Sequence, residues 1–180
     1  MADWFLKVKK DFITCFLEKD RWHYILQGLG NTLKIALVAV LLGVVIGTVV
    51  AIIRSTYDKN AATMRPGIVR FLLGLGNAVC RIYLTVIRGT PVMIQILIMF
   101  FVIFSNARDG VPVAMLTFGI NSGAYVAEII RGGIMAVDAG QMEAGRSLGM
   151  SRFQATVHVV LPQAMKNILP AIGNEMIALL

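Results

Sequence analysis

The chain has 180 residues, of which 57% are apolar and only 15% charged, with a mean hydropathy of +0.75. That balance excludes disorder and departs from soluble domains, which hold about 45–50% apolar and about 25% charged residues; an all-α, polytopic membrane helix bundle is expected, with room for about four or five spans of about 20 residues. The net charge of +7, from 17 basic and 10 acidic residues, reports orientation in such a chain before it reports partners, and nucleic-acid binding is disfavoured because the basic residues lie between apolar runs and not on one polar domain.

Residues 1–30 carry five basic and four acidic residues, a mixture not expected of a signal peptide. Trp4, Phe5, Val8, Phe12, Ile13, Phe16 and Leu17 recur at helical spacing, which predicts an amphipathic helix on a membrane surface; packing of that helix against the rest of the chain is the alternative. Cys15 and Cys80 are expected to be packing residues without a disulfide.

Residues 33–53 form an apolar run whose one charge, Lys34, stands at its edge and can snorkel. This is the first expected span, and Gly43 and Gly47 within it make a GxxxG pair suited to close helix contact. Residues 54–88 are basic, with Arg54, Lys59, Arg65, Arg70, Arg81 and Arg88 against Asp58 alone, and Pro66 and Gly67 break the helix there. The positive-inside rule puts this connection in the cytoplasm and the N-terminus outside. Phe71 to Ile87 reads as an elbow helix.

The apolar run Val92 to Phe104 is too short to cross alone, so the second span is expected over residues 86–104, with Arg88, Gly89, Thr90 and Pro91 at its inner mouth. The third is expected over about 113–133. There Gly119, Gly123 and Ala127 share one stripe, and Asn121, Tyr125 and Glu128 share a roughly opposite one. Small residues at this spacing favour helix contact. Polar residues inside a span face a bundle interior or a watery path, so Asn121, Tyr125 and Glu128 are candidate path residues, joined by Thr90 and Gln95. For Glu128 the structural alternative is a pair with Arg131 or Arg88; Thr90 and Gln95 could equally satisfy backbone groups or neighbouring helices.

Residues 138–162 are polar and well punctuated. Asp138 with Gln141, and Ser151 with Gln154, read as N-caps with reciprocal partners, and Gly149 between them as a helix terminator. Two short helices meeting at a sharp turn are expected, the second ending near Pro162. Residues 167–180 begin a partial span of about 21 Å, so the chain is expected to end in mid-membrane.

The run Glu143-Ala144-Gly145, with Gly149, Val159 and Leu161-Pro162 at matching intervals, resembles the EAA loop of binding-protein-dependent ABC importer permeases of the MetI-like type. Gly145 stands for the usual alanine and Val159 for the usual isoleucine. Arg88-Gly89-Thr90-Pro91 and Asn121-Ser122-Gly123-Ala124-Tyr125, with Glu128 and Arg131, resemble the polar amino acid branch of that family. The resemblance runs from about Gly28 onward.

It implies an inner-membrane permease domain over residues 31–180, with 132–166 cytoplasmic beside 54–88. Met142, Glu143, Ala144, Gly145, Leu148 and Gly149 would couple it to a cytoplasmic ABC ATPase dimer. The implied partners also include an extracytoplasmic solute-binding protein, a second permease copy or related chain, and membrane lipid. This chain would hold no cofactor or metal and catalyse nothing, because ATP and Mg²⁺ belong to the ATPase and no GxxxxGK[ST] loop occurs here. Family members have a five-span core, so a C-terminally truncated chain is expected. An ABC importer permease for another small solute is the alternative within the family. A membrane-embedded enzyme is the reading from another class, but His23 and His158 lie far apart without ligand-like neighbours; a passive channel would not need the coupling loop.

Overall fold

The computed structural model describes residues 2–17, 20–60, 64 and 67–180, and of residues 2, 3, 17, 59 and 60 the backbone alone. Arg65, Pro66 and the side chains of Leu17 and Lys59 lie outside what it describes. The described residues form helices and no strand: α1 (Ala2–Phe12), α2 (Trp22–Asn60), α3 (Ile68–Gly89), α4 (Val92–Ile98), α5 (Gly110–Met135), α6 (Ala139–Ser147), α7 (Arg152–Ala155) and α8 (Leu161–Ala178). Single π-helical stretches follow α1 (Ile13–Leu17), α4 (Met99–Ile103) and α7 (Thr156–Val160). Two compact units are distinguished, Met1–Lys34 and Ile35–Leu180.

In the first unit, Trp4, Phe5 and Phe12 are exposed. No helix break marks the expected boundary at residue 30, because α2 begins at Trp22 and runs to Asn60, whereas the two compact units divide after Lys34. No Pro interrupts that stretch, and its glycines Gly28 and Gly30 are tolerated within a helix. At 39 residues α2 is about 58 Å long, well beyond the bilayer core of about 30 Å.

The second unit has a core of small residues and an exterior of large apolar ones. Ala36, Ala39, Ala51, Ala124 and Ala127 are buried, while Leu41, Val45, Val49 and Ile52 on α2 are exposed. Lipid tails are as apolar as these side chains, so helices associate there by close packing and not by hiding large apolar groups. The glycine stripes supply the close packing. A Cβ at Gly43 would meet Ser122 Oγ at 2.7 Å, and one at Gly47 would meet the Ala127 backbone nitrogen at 2.8 Å. Reciprocally, a Cβ at Gly119 would meet Leu42 at 2.9 Å, and one at Gly123 would meet Ile46 at 2.9 Å and the Tyr83 hydroxyl at 2.8 Å. The two stripes read in the sequence are therefore the two sides of one contact, α2 on α5. Val50, Cys80, Leu84, Ala124 and Ala127 extend it to α3. On α5's far end Gly133 lies against Ile168 of α8.

Among the described residues, three helices are long and apolar enough to cross a membrane: Trp22–Asp58 within α2, then α3 and α5. Several expectations change here. The helix expected over residues 86–104 is interrupted at Thr90, whose backbone is extended (φ −120°, ψ 143°). A residue before proline is driven out of the helical region, so Pro91 ends α3 and a new helix starts at Val92. The segment read as an elbow, Phe71 to Ile87, is the body of the 22-residue helix α3. Likewise the helix expected to stop near Pro162 continues: the π-helical stretch Thr156–Val160 passes directly into α8, with Pro162 in its first turn, where no N–H is missed. The helix expected from residue 167 thus begins at Leu161, and α5 covers Gly110–Met135 in place of 113–133.

Candidate functional site

Pro91 lacks an N–H, and a helix running through it would leave the carbonyl four residues back, that of Ile87, without a donor. Gln95 supplies one. Its Nε2 donates to Ile87 O at 2.8 Å, with Thr90 Oγ1 at 2.7 Å and Thr90 O at 3.2 Å as further acceptors. Thr90 Oγ1 in turn donates to Val86 O at 2.8 Å. The other end of the Gln95 amide, Oε1, accepts from Asn121 Nδ2 at 3.0 Å, and Asn121 is buried. Thr90, Gln95 and Asn121 are thus brought together as a connected clamp over the α3–α4 break, tied to α5. Thr90 and Gln95 also line a cavity of about 220 Å³ with Ile87, Ile94, Thr117 and Ile120 among others, and its walls are almost wholly apolar.

Tyr125 and Glu128 lie one and two turns further along α5 and outside this clamp. Tyr125 is 38% exposed, and the Arg88 guanidinium stands 5.4 Å from its ring centroid, within cation–π range. Glu128 pairs with Arg131, its Oε2 accepting from Nη2 at 3.0 Å and Nε at 3.2 Å. Of the two partners considered for it, Arg131 is therefore the one found, which leaves Arg88 to the aromatic ring. An open polar cavity of about 440 Å³ is lined by Arg54, Arg81, Thr85, Arg88 and Glu128. The gathering of Arg54 from α2 with Arg81 and Arg88 from α3 was not legible in spacing; only the seven-residue interval between Arg81 and Arg88 hinted at a shared face.

The residues proposed for coupling sit on a tight elbow between α6 and α7. Gly149 closes α6 with φ +86°, a left-handed conformation that side chains with a Cβ resist. The Ser151 cap is complete: its hydroxyl accepts from Gln154 N at 3.2 Å while Gln154 Oε1 accepts from Ser151 N at 2.9 Å. The Asp138 cap is not the reciprocal box expected. Its carboxylate accepts from Gly140 N at 2.6 Å, and Gln141 Oε1 accepts instead from Gln163 Nε2 at 3.1 Å, from the start of α8.

Glu143, Ala144, Leu148 and Gly149 are exposed on this elbow and Met142 is half-buried. Gly145 differs from the role assigned to it. It is buried inward, where a Cβ would lie 3.2 Å from Ala155 Cβ and 3.7 Å from Met150 Sδ, so its close approach is to its own chain's returning helix. Phe153 is 75% exposed, as Leu148 is at 81%, and was missed because aromatic residues in a short amphipathic helix are ordinarily core.

Comparison with known proteins identifies the family. A family model described as binding-protein-dependent transport system inner membrane component matches residues 67–180. The chain is 38% identical over 159 residues to the arginine transport system permease protein ArtQ of Bacillus subtilis, covering 87% of this chain and 66% of that protein. It is 40% identical over 107 residues to the glutamine transport system permease protein GlnP of Escherichia coli, covering 57% and 49% respectively. A crystal structure described as an amino acid ABC transporter with histidines superposes with a TM-score of 0.67 at 41% identity, over 82% of this chain and 63% of that one. At 66%, the chain spans just under two thirds of the length of the Bacillus relative.

Proposed function

The chain belongs to the family of binding-protein-dependent transport system inner membrane components, and from that premise we propose that it is the permease subunit of an ABC importer for a polar amino acid. In this reading it forms the membrane path with a second copy or a related permease chain, an extracytoplasmic solute-binding protein delivers the solute, and a separate ATPase dimer binds ATP and Mg²⁺ and hydrolyses the nucleotide. The substrate class follows the arginine and glutamine permeases and the amino acid transporter it resembles. In this reading residues 54–88 and 132–166 face the cytoplasm and the N-terminus lies outside, by the positive-inside rule, so that α3, although long enough to cross, lies at the inner surface.

The observation that carries the reading is the α6–α7 elbow. Gly149 and the Ser151–Gln154 box hold it in one shape, and that shape leaves Glu143, Leu148 and Phe153 each exposed. Burying a Leu or Phe side chain in a partner's groove contributes about 1.5–3 kcal/mol each, and an exposed carboxylate beside them selects a basic or hydrogen-bonding partner group. The elbow is also mechanically connected. α7 passes through its π-helical stretch into α8, α8 packs on α5 at Gly133, and α5 interlocks with α2. A displacement of the elbow would therefore move α8, α5 and α2 together, the lever that alternating access needs; ATP-driven closure supplies the contacts that differ between states.

Tyr125 and Glu128 remain the path candidates, whereas Thr90, Gln95 and Asn121 act as the support of the α3–α4 break. The test is ATP-dependent uptake of radiolabelled arginine or glutamine into proteoliposomes containing the chain, an ABC ATPase and a solute-binding protein. Uptake that needs all three and changes its KM with Tyr125→Ala or Glu128→Gln supports the reading. Uptake without the ATPase would overturn coupling, and unchanged kinetics in both variants would remove these residues from the path.

A further inference from the structure

The polar cavity of about 440 Å³ gathers three guanidinium groups, Arg54, Arg81 and Arg88, with the hydroxyl-bearing Thr85. Its one carboxylate, Glu128, is already held by Arg131 at 3.0 Å, the sole ion pair among the described residues. Arg54 Nε is shielded from solvent and has no acceptor among the described residues. Clustered cations without counter-ions are strongly unfavourable beside a membrane core, and a buried N–H without a partner costs about 1–3 kcal/mol. Guanidinium forks match the paired oxygens of a phosphate or a carboxylate. The cavity walls are polar, so an acyl chain is not the occupant; a headgroup-sized oxyanion is.

The geometry points to a binding site for the phosphate of an anionic phospholipid headgroup, held by Arg54, Arg81 and Arg88 between α2, α3 and α5. This rests on the reading that residues 54–88 face the cytoplasm, the leaflet where anionic lipid is concentrated and where basic pockets between helices take headgroups. Because Arg88 also stands against Tyr125 on α5, a bound headgroup would fix the position of α3 relative to a path candidate. A soluble oxyanion, inorganic phosphate or a solute carboxylate, would satisfy the same donors, and the experiment separates it.

The purified full chain is offered phosphatidylglycerol or phosphatidylcholine in detergent micelles, and retained lipid is counted by native mass spectrometry. We expect preferential retention of phosphatidylglycerol by the unaltered chain. Each of Arg54→Gln, Arg81→Gln and Arg88→Gln should weaken it about fivefold, equivalent to about 1 kcal/mol per basic residue, and the triple variant should abolish it. Arg108→Gln, outside the cavity, should leave it unchanged. The headgroup comparison on the unaltered chain stands even where a variant fails to fold. Equal retention of both lipids, or displacement of phosphatidylglycerol by millimolar inorganic phosphate, would overturn the lipid assignment. In spheroplasts, a Cys15→Ser, Cys80→Ser chain carrying Asp58→Cys should resist an impermeant thiol reagent; labelling from outside would refute the orientation, whatever lipid binds.

Discussion

Asn121 on α5 donates from Nδ2 to Gln95 Oε1 on α4 at 3.0 Å, across the helix break that Pro91 creates. The same Gln95 amide caps the Ile87 carbonyl at 2.8 Å, the group a continuous helix would have left without a donor at Pro91. One side chain thus repairs the break and ties it to the helix that interlocks with α2. Gln95→Leu should remove both functions. An interhelical hydrogen bond in a membrane is worth about 0.6–2 kcal/mol, so thermal unfolding of the variant in detergent should fall measurably below that of the unaltered chain. If stability is unchanged while solute uptake is lost, Gln95 belongs to the path and not to the clamp.

Gly132 and Gly133 are neighbours on α5 with opposite surroundings. Nothing lies within 4 Å of a Cβ at Gly132, whereas a Cβ at Gly133 would collide with Ile168 Cγ1 on α8. Gly132→Ala is expected to be neutral or to stabilise by up to about 1 kcal/mol through helix propensity. Gly133→Ala should destabilise by about 1–3 kcal/mol through overpacking. Chemical unfolding of the two variants side by side checks this; a similar shift for both would remove the claim that α8 seats on α5 at Gly133.

At the elbow, Gly149 has φ +86°. Gly149→Ala should cost about 1–2 kcal/mol, while Gly149→Asn, which tolerates the left-handed region, should cost less. Ser151→Ala should cost about 1 kcal/mol by removing its half of the capping box. Hydrogen exchange of the α7 amides reads both effects locally, and protection unaltered by Ser151→Ala would deny the cap a role in holding the elbow.

How far a feature's partners lie apart along the chain decided whether it was legible in the sequence. The Ser151–Gln154 box and the Gly149 turn were readable because their partners lie within three residues, where chain geometry alone sets the contact. The Gly43/Gly47 and Gly119/Gly123 stripes were readable because helical period puts small residues on one face, though which stripe met which was not. The Asp138–Gln141 box failed for a non-local reason: Gln141 is taken by Gln163, 22 residues away. Hydropathy alone joined residues 86–104 into one span because it registers apolarity and not the missing N–H of Pro91. The arginine cavity draws on α2 and α3 together, so no spacing within one segment could have announced it.

The proposed function turns on whether the α6–α7 elbow docks on an ATPase through its exposed face. Leu148 is 81% exposed and packs little within this chain, so Leu148→Asp should leave the fold intact while placing a charge in the proposed groove. Coexpression with the cognate ABC ATPase, followed by copurification in detergent, reads the docking itself and not a later step of transport. We expect the unaltered chain to retain the ATPase, and Leu148→Asp, with an unchanged unfolding temperature, to lose it. Full retention of the ATPase by a correctly folded Leu148→Asp chain would refute docking through this face.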